Sequence, residues 1–184
     1  DQFKDFEYLN EDKINLLKSG SQWFGDVFDL TNVYNYTFPF NNCIDSSHFK
    51  ISLMSKSNYS TAYFYPSIFN VNLSVPISSS GSSYYSDVGK IAIAEFDVLN
   101  NPNAPFELRL EYSNNGAPSS KGYLDYIEVN CSRTIQVNNQ EFDFHLFGSS
   151  GSTSHSKIIV KNASSVNMIW DITNLNEVKN IMYQ

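Results

Sequence analysis

The chain reads as an all-β protein, an antiparallel β-sandwich or jelly roll, and three features of its sequence say so. Short runs of aromatic and β-branched residues recur at even spacing, separated by clusters of Asn, Ser, Gly and Pro. Several of these runs alternate apolar and polar residues, the period of a strand with one buried face. No connection is long enough to hold a crossover helix, which argues against a parallel sheet. About eleven short strands are expected, the pattern of a two-layer β domain.

Composition agrees. Aromatic residues make up 15% of the 184 residues, and Asn and Ser far outnumber Ala, a mix that favours strands and turns over helices. The length suits one generous domain, or one domain with appendages. A net charge of −7 with scattered lysines makes a phosphate backbone a poor partner, so nucleic acid is not expected. No apolar run approaches the roughly 18 residues needed to cross a bilayer. The opening Asp1-Gln2-Phe3 has neither the basic nor the apolar part of a signal peptide. With no initiator Met, a processed chain or an excised segment is expected.

Residues 1–20 read as a lead-in segment. Apolar residues at Phe6, Leu9, Ile14 and Leu17, with Asn10-Glu11-Asp12 as a start signal and Gly20 as a stop, predict a short helix over about 10–18. The sandwich is expected over 21–175, and 176–184 as a linker toward a further domain. Within the sandwich, Trp23, Phe24, Val27 and Phe28 are expected inside. Asp26 and Asp29 beside them suit turn and loop-edge acids better than calcium ligands. Residues 33–38 make a strand stopped by Pro39. Residues 48–55 alternate, with Phe49, Ile51 and Leu53 inward; 59–65 and 69–75 follow as strands, and 78–86 as a Ser/Gly/Tyr loop. Residues 90–98 carry Ile91 and Ile93 on one face and Ala92, Ala94, Phe96 and Val98 on the other, which predicts an inner strand. After the 100–105 loop, residues 106–112 alternate most cleanly of all, with Phe106, Leu108, Leu110 and Tyr112 inward.

The stretch that organises the rest is Gly122-Tyr123-Leu124-Asp125-Tyr126-Ile127-Glu128-Val129-Asn130. Strict alternation puts Tyr123, Asp125, Ile127 and Val129 on one face and Leu124, Tyr126 and Glu128 on the other. Large apolar side chains point both ways, so this is an inner strand of a two-layer structure. Beyond it, 134–137 and 141–147 flank the hairpin signal Asn138-Asn139. Residues 157–161 and 166–172 close the chain as strands, with Val166, Met168, Trp170 and Ile172 on one face, Trp170 being expected in the core.

Chemistry is harder to find. The histidines are His48, His145 and His155. His155 sits in a Gly/Ser loop and His145 on the polar side of a strand, where a solvated histidine is the default. His48 follows Cys43 closely, but no activating motif surrounds either residue. Asp125 and Glu128 on opposite faces of one strand cannot flank one glycosidic bond. There is no phosphate-cradling glycine loop and no zinc-ligand spacing. Cys43 and Cys131 leave two readings open: a disulfide, if the chain is exported, or two separate buried thiols. No catalytic, metal-binding or cofactor-binding residue is therefore assigned.

Three stretches in order, Trp23-Phe24-Gly25-Asp26-Val27-Phe28-Asp29, then residues 122–130, then Ile169-Trp170-Asp171-Ile172-Thr173-Asn174, resemble the β-rich region preceding the peptidase domain of PorU-type sortases. These are gingipain-like (C25) cysteine peptidases of the Bacteroidetes type IX secretion system. The resemblance covers about residues 20–175. It implies a non-catalytic module, since that family's catalytic His and Cys lie in a peptidase domain whose sequence this chain does not match. It further implies export to the outer membrane, cell surface or periplasm. The partners it implies are the peptidase domain of the same chain, secreted cargo or outer-membrane secretion subunits. The alternatives are a carbohydrate-binding module, since Leu-Asp-Tyr-Ile-Glu-Val also resembles the closing strand of galactose-binding-like jelly rolls, and an adhesin-type structural domain.

Overall fold

The computed structural model describes residues 2–16, 22–84, 86–101, 104–137, 143–144 and 157–182. In chain order the strands are β1 (Gln2–Asn10), β2 (Val27–Phe28), β3 (Val33–Thr37), β4 (Cys43–Lys56), β5 (Ala62–Ile68), β6 (Val71–Asn72), β7 (Val75–Ile77), β8 (Lys90–Leu99), β9 (Glu107–Ser113), β10 (Lys121–Thr134), β11 (Trp170–Asp171) and β12 (Lys179–Asn180). One sheet runs β1-β10-β4-β8, with β2 also on β10; the other runs β3-β9-β5, with β6 and β7 on β5. Every ladder is antiparallel. The chain changes sheet from β2 to β3, β3 to β4, β4 to β5, β7 to β8, β8 to β9 and β9 to β10, so most connections stitch the two layers together.

Alternation explains the core between the layers. Phe49, Ile51 and Leu53 of β4 and Leu124, Ile127 and Val129 of β10 meet Phe64, Leu108 and Leu110 of the opposite sheet, all within one buried cluster. Phe106 extends it as an aromatic hub, with Phe38, Phe40, Phe49 and Phe69 around its ring at centroid distances of 5.2–6.1 Å. The two layers and the inner position of β10, between β1 and β4, match the sequence reading.

Several details do not, each for a local reason. The lead-in helix is absent from the described part of 10–18: β1 pairs along its whole length with β10, from Gln2↔Thr134 to Asn10↔Tyr126. Residues 13 and 14 then run against Phe24, whose carbonyl accepts from the amides of Lys13 (3.0 Å) and Ile14 (2.9 Å). Backbone pairing with a distant strand has overridden a weak local helix signal. Strict alternation also fails in β10. Leu124↔Leu53 is followed by Tyr126↔Ser52, so Asp125 is the extra residue of a β-bulge. The bulge puts Leu124 on the same inner face as Ile127 and Val129, and sends Tyr123 outward into a small cluster with Phe24 and Met54.

β8 is the edge of its sheet rather than an inner strand, which leaves Ile91 and Ile93 about half exposed. The 69–75 strand is broken at Phe69 (φ 50°) into a turn and two short strands, β6 and β7. Trp23 is exposed, while Phe24 and Phe28 are buried as expected. Residues 157–161 form no strand beyond a bridge between Lys161 and Gln136, and of 166–172 only Trp170–Asp171 is strand. Trp170 is 51% exposed, so it is not a core residue. The second arm of the expected hairpin, 141–147, lies outside the described residues except for 143 and 144, which are not strand.

Candidate functional site

Four clusters of chemistry-bearing side chains can be placed in this frame. The first lies where β4 enters the sheet. Cys43 and Cys131, on neighbouring strands, bring their Sγ atoms to 3.0 Å. Here β4 is irregular: Cys131 faces Ser47, Ser132 faces Ile44, and Asp45 and Ser46 are left over. Asn42 (φ 60°) and Asp45 (φ 57°) hold left-handed conformations on either side of Cys43. Asn100 satisfies the groups that this irregularity frees, donating Nδ2 to the Ile44 carbonyl (2.9 Å) and its amide to the Asp45 carbonyl (3.0 Å). It also accepts from Ser47 Oγ at 2.7 Å. Arg133, paired with Asp5, donates Nε to the Asn41 carbonyl at 2.8 Å. The hydrogen bond shared with Cys131 and the Arg133 charge lower the Cys43 thiol's pKa against the opposing effect of burial. Cys131 is pushed up by the same hydrogen bond and by its own burial.

His48 does not join the thiols. Its Nδ1 lies 2.9 Å from Asp97 Oδ1, on the neighbouring strand β8. Cys43 and His48, close in sequence, are thus each engaged elsewhere. His145 and His155 lie outside the described residues.

The second cluster is an aromatic row on the outer face of β1 and β10. Phe6 and Tyr8 stack with centroids 6.4 Å apart, and Tyr8 meets Tyr126 at 5.6 Å. Phe6 and Tyr8 are about half exposed. Glu128 sits directly across from Tyr8, and the bulged Asp125 accepts from Ser52 Oγ at 2.9 Å. The Asp125 bulge therefore puts on one face two carboxylates that strict alternation assigns to opposite faces. Loss of solvent, then the Asp125 and Glu128 charges, raise the Tyr8 hydroxyl above its ordinary pKa. A cleft of about 250 Å³ opens beside Tyr8, lined by Glu7, Leu9 and residues 35–39. It is smaller than the roughly 300–1,000 Å³ that drug-sized ligands fill.

The third cluster surrounds the two acids of the 23–29 motif. Asp26 accepts from Tyr36 Oη at 3.0 Å and from Lys13 Nζ at 3.1 Å, while Asp29 pairs with Lys121 at 2.5 Å. Both acids thus tie loop edges to strands. Among the described residues no group of three or more His, Cys, Asp or Glu side chains is placed to hold a metal ion. Burial, and then the Asp26 charge and hydrogen bond, push the Tyr36 hydroxyl well above 10.0, its ordinary pKa. A folded pKa above the unfolded one means that the Tyr36 contribution is complete below about pH 10 and is lost above it, as the unfolded chain ionises first. Urea midpoints measured from pH 8 upward should hold until about pH 10 and then fall, and Tyr36→Phe should flatten that fall.

The fourth cluster is the C-terminal stretch. β11 and β12 form a small hairpin closed by Asp171 and Asn174, whose carboxylate and amide oxygens accept from the amides of Thr173 (3.0 Å) and Asn176 (3.1 Å). Along it Met168, Trp170, Ile172, Leu175 and Val178 are all exposed, an unusual density of exposed apolar side chains for one short stretch. Sequence periodicity marks these residues as apolar but cannot say that the neighbouring sheet fails to cover them.

No protein-family model matches the chain, and no curated protein matches it by sequence. Among solved structures, the chain is similar to dimeric latent PorU from Porphyromonas gingivalis, with a TM-score of 0.63 and 20% identity, over 81% of this chain and 14% of that one. The Cry4Aa toxin of Bacillus thuringiensis aligns over 56% of this chain and 18% of that one, at 19% identity and a TM-score of 0.42, too loosely to add to the comparison. The chain thus spans a small part of PorU's length, and over most of its own length it has a PorU-like fold.

Proposed function

We propose that this chain is a non-catalytic accessory module of a PorU-type cysteine peptidase, exported to the cell surface, which packs against the peptidase domain of its own polypeptide. The observation that carries the reading is the PorU-like fold over 81% of the chain. The ordered motifs at 23–29, 122–130 and 169–174 support it, as does the engagement of Cys43 by Cys131 and of His48 by Asp97 rather than of one by the other. The exposed apolar side chains around β11 and β12 are the surface that such a domain would cover.

The test begins with the coding sequence beyond Gln184, where a C25-type domain is expected. The two pieces, expressed separately, should co-elute. Trp170→Ser with Met168→Ser should weaken that association by at least tenfold while leaving the fold intact. The isolated chain should cleave no peptide. Thiol-dependent cleavage abolished by Cys43→Ser, or a peptidase domain that ignores this chain, would overturn the proposal. The carbohydrate-binding alternative rests on the Phe6–Tyr8–Tyr126 row beside Asp125 and Glu128. Glycan binding abolished by Tyr8→Ala would favour it instead.

A further inference from the structure

We propose that Cys43 and Cys131 are a single redox site, closing to an intramolecular cross-strand disulfide when the chain meets a disulfide oxidant such as oxidised glutathione. They are the two cysteines of these 184 residues, and the fold brings them together from positions far apart in sequence. The 3.0 Å separation of their sulfurs is about 1 Å longer than a disulfide bond and within reach of a small side-chain rotation. Their surroundings give the two thiols different parts. Cys43 is partly exposed and lies beside the Arg133 guanidinium, as a thiol that receives an outside oxidant should; Cys131 is buried, with its sulfur against that of Cys43.

The exchange balances in two steps. The Cys43 thiolate attacks one sulfur of oxidised glutathione, breaking its S–S bond, forming a mixed disulfide and releasing one glutathione thiolate. Cys131 then gives its proton to that departing thiolate, and its sulfur attacks the Cys43 sulfur and expels the second glutathione as a thiolate, which takes from water the proton that Cys43 gave up on ionising. Two protein thiols and one glutathione disulfide become one protein disulfide and two glutathione thiols.

The bond would fasten the least regular point of the sheet. It would pin the start of β4, with left-handed residues on both sides of Cys43, onto β10, which also carries β1 through the Asp5–Arg133 pair. It would also close a loop of 88 positions, long enough for a large effect on the unfolded chain. The proposal stands apart from the sortase reading, because thiol counts decide it whether or not a peptidase domain binds.

The test uses the intact chain, fully reduced and then equilibrated in a buffer of oxidised and reduced glutathione. Thiols counted after denaturation should fall from two to none together, with a mass loss of two hydrogens and no glutathione retained. The Tm should rise by about 5–15 °C and return on adding a reductant, and amides at 43–47 should exchange more slowly in the oxidised form. Cys131→Ser should trap a mixed disulfide of glutathione with Cys43, whereas Cys43→Ser should take up glutathione slowly. Two thiols that stay free, a stable glutathione adduct of the unaltered chain, or a disulfide-linked dimer would each overturn the proposal. The oxidised and reduced forms of the unaltered chain separate these outcomes even where a variant fails to fold.

Discussion

Phe49→Ala is expected to destabilise the chain by about 3–5 kcal/mol, the usual cost of emptying an aromatic site in a packed core. Phe49 has no exposed surface and lies in the middle of β4. Its ring is nearly parallel to that of Phe96 (5.3 Å, 5°) and to that of Phe106 (5.8 Å, 16°), and edge-on to Phe38 (6.1 Å, 77°). Truncation removes the transfer energy of the ring and three aromatic contacts, and strands on both sides hold the cavity open. Urea unfolding should show the loss as a lower midpoint at unchanged slope. Trp170→Ala is the control: at half exposure in a two-residue strand it should change stability by no more than about 1 kcal/mol. Equal losses at the two positions would mean that the sheets do not meet at Phe49.

The second large effect is expected at Gly122, by addition rather than removal. A Cβ there would sit 2.6 Å from Phe64 Cζ and 2.7 Å from Tyr112 Cδ2. Neither ring has an easy escape. Phe64 is fully buried, and the Tyr112 hydroxyl is held by Ser55 Oγ at 3.0 Å and Ser120 Oγ at 2.5 Å. The backbone of Gly122 is itself fixed between Phe28 and Ser55. Gly122→Ala should therefore cost about 2–3 kcal/mol by overpacking, although alanine is otherwise the better strand residue. A neutral substitution, seen as an unchanged thermal midpoint, would show that the sheets can separate here.

What was legible in the sequence follows from period. Residues 106–112 alternate without interruption and 48–53 do the same, and the structure buries the residues that alternation assigns to the core, from Phe49 to Tyr112, although it buries Ser52, Met54 and Ser55 as well. Periodicity cannot see a residue that is added to a strand. The Asp125 bulge inverts the face of everything before it, because each side chain's direction depends on the count of residues from a fixed pairing. Nor can it see edges: Ile91 and Ile93 look internal, yet no strand among the described residues lies beyond β8, and the second sheet packs on the opposite face. Residues 2–10 carry an alternation of their own, with Phe3 and Leu9 on one side and Phe6 and Tyr8 on the other, but the start signal at Asn10-Glu11-Asp12 competes with it and points to a helix. The thiol pair illustrates the same limit, since 88 positions separate two residues that share a corner of one sheet.

The repeated changes of sheet along the chain have a kinetic consequence. No pair of consecutive long strands forms a hairpin that could mature alone; β4 finds its neighbours only when β8 and β10 exist, and β1 waits for the far end of β10. Topologies of such high contact order fold in milliseconds to seconds rather than microseconds. Throughout that interval β4, with its run of Phe49, Ile51, Leu53 and Met54, is an unpaired sticky ribbon, the segment most in need of a holding chaperone while the rest of the molecule arrives.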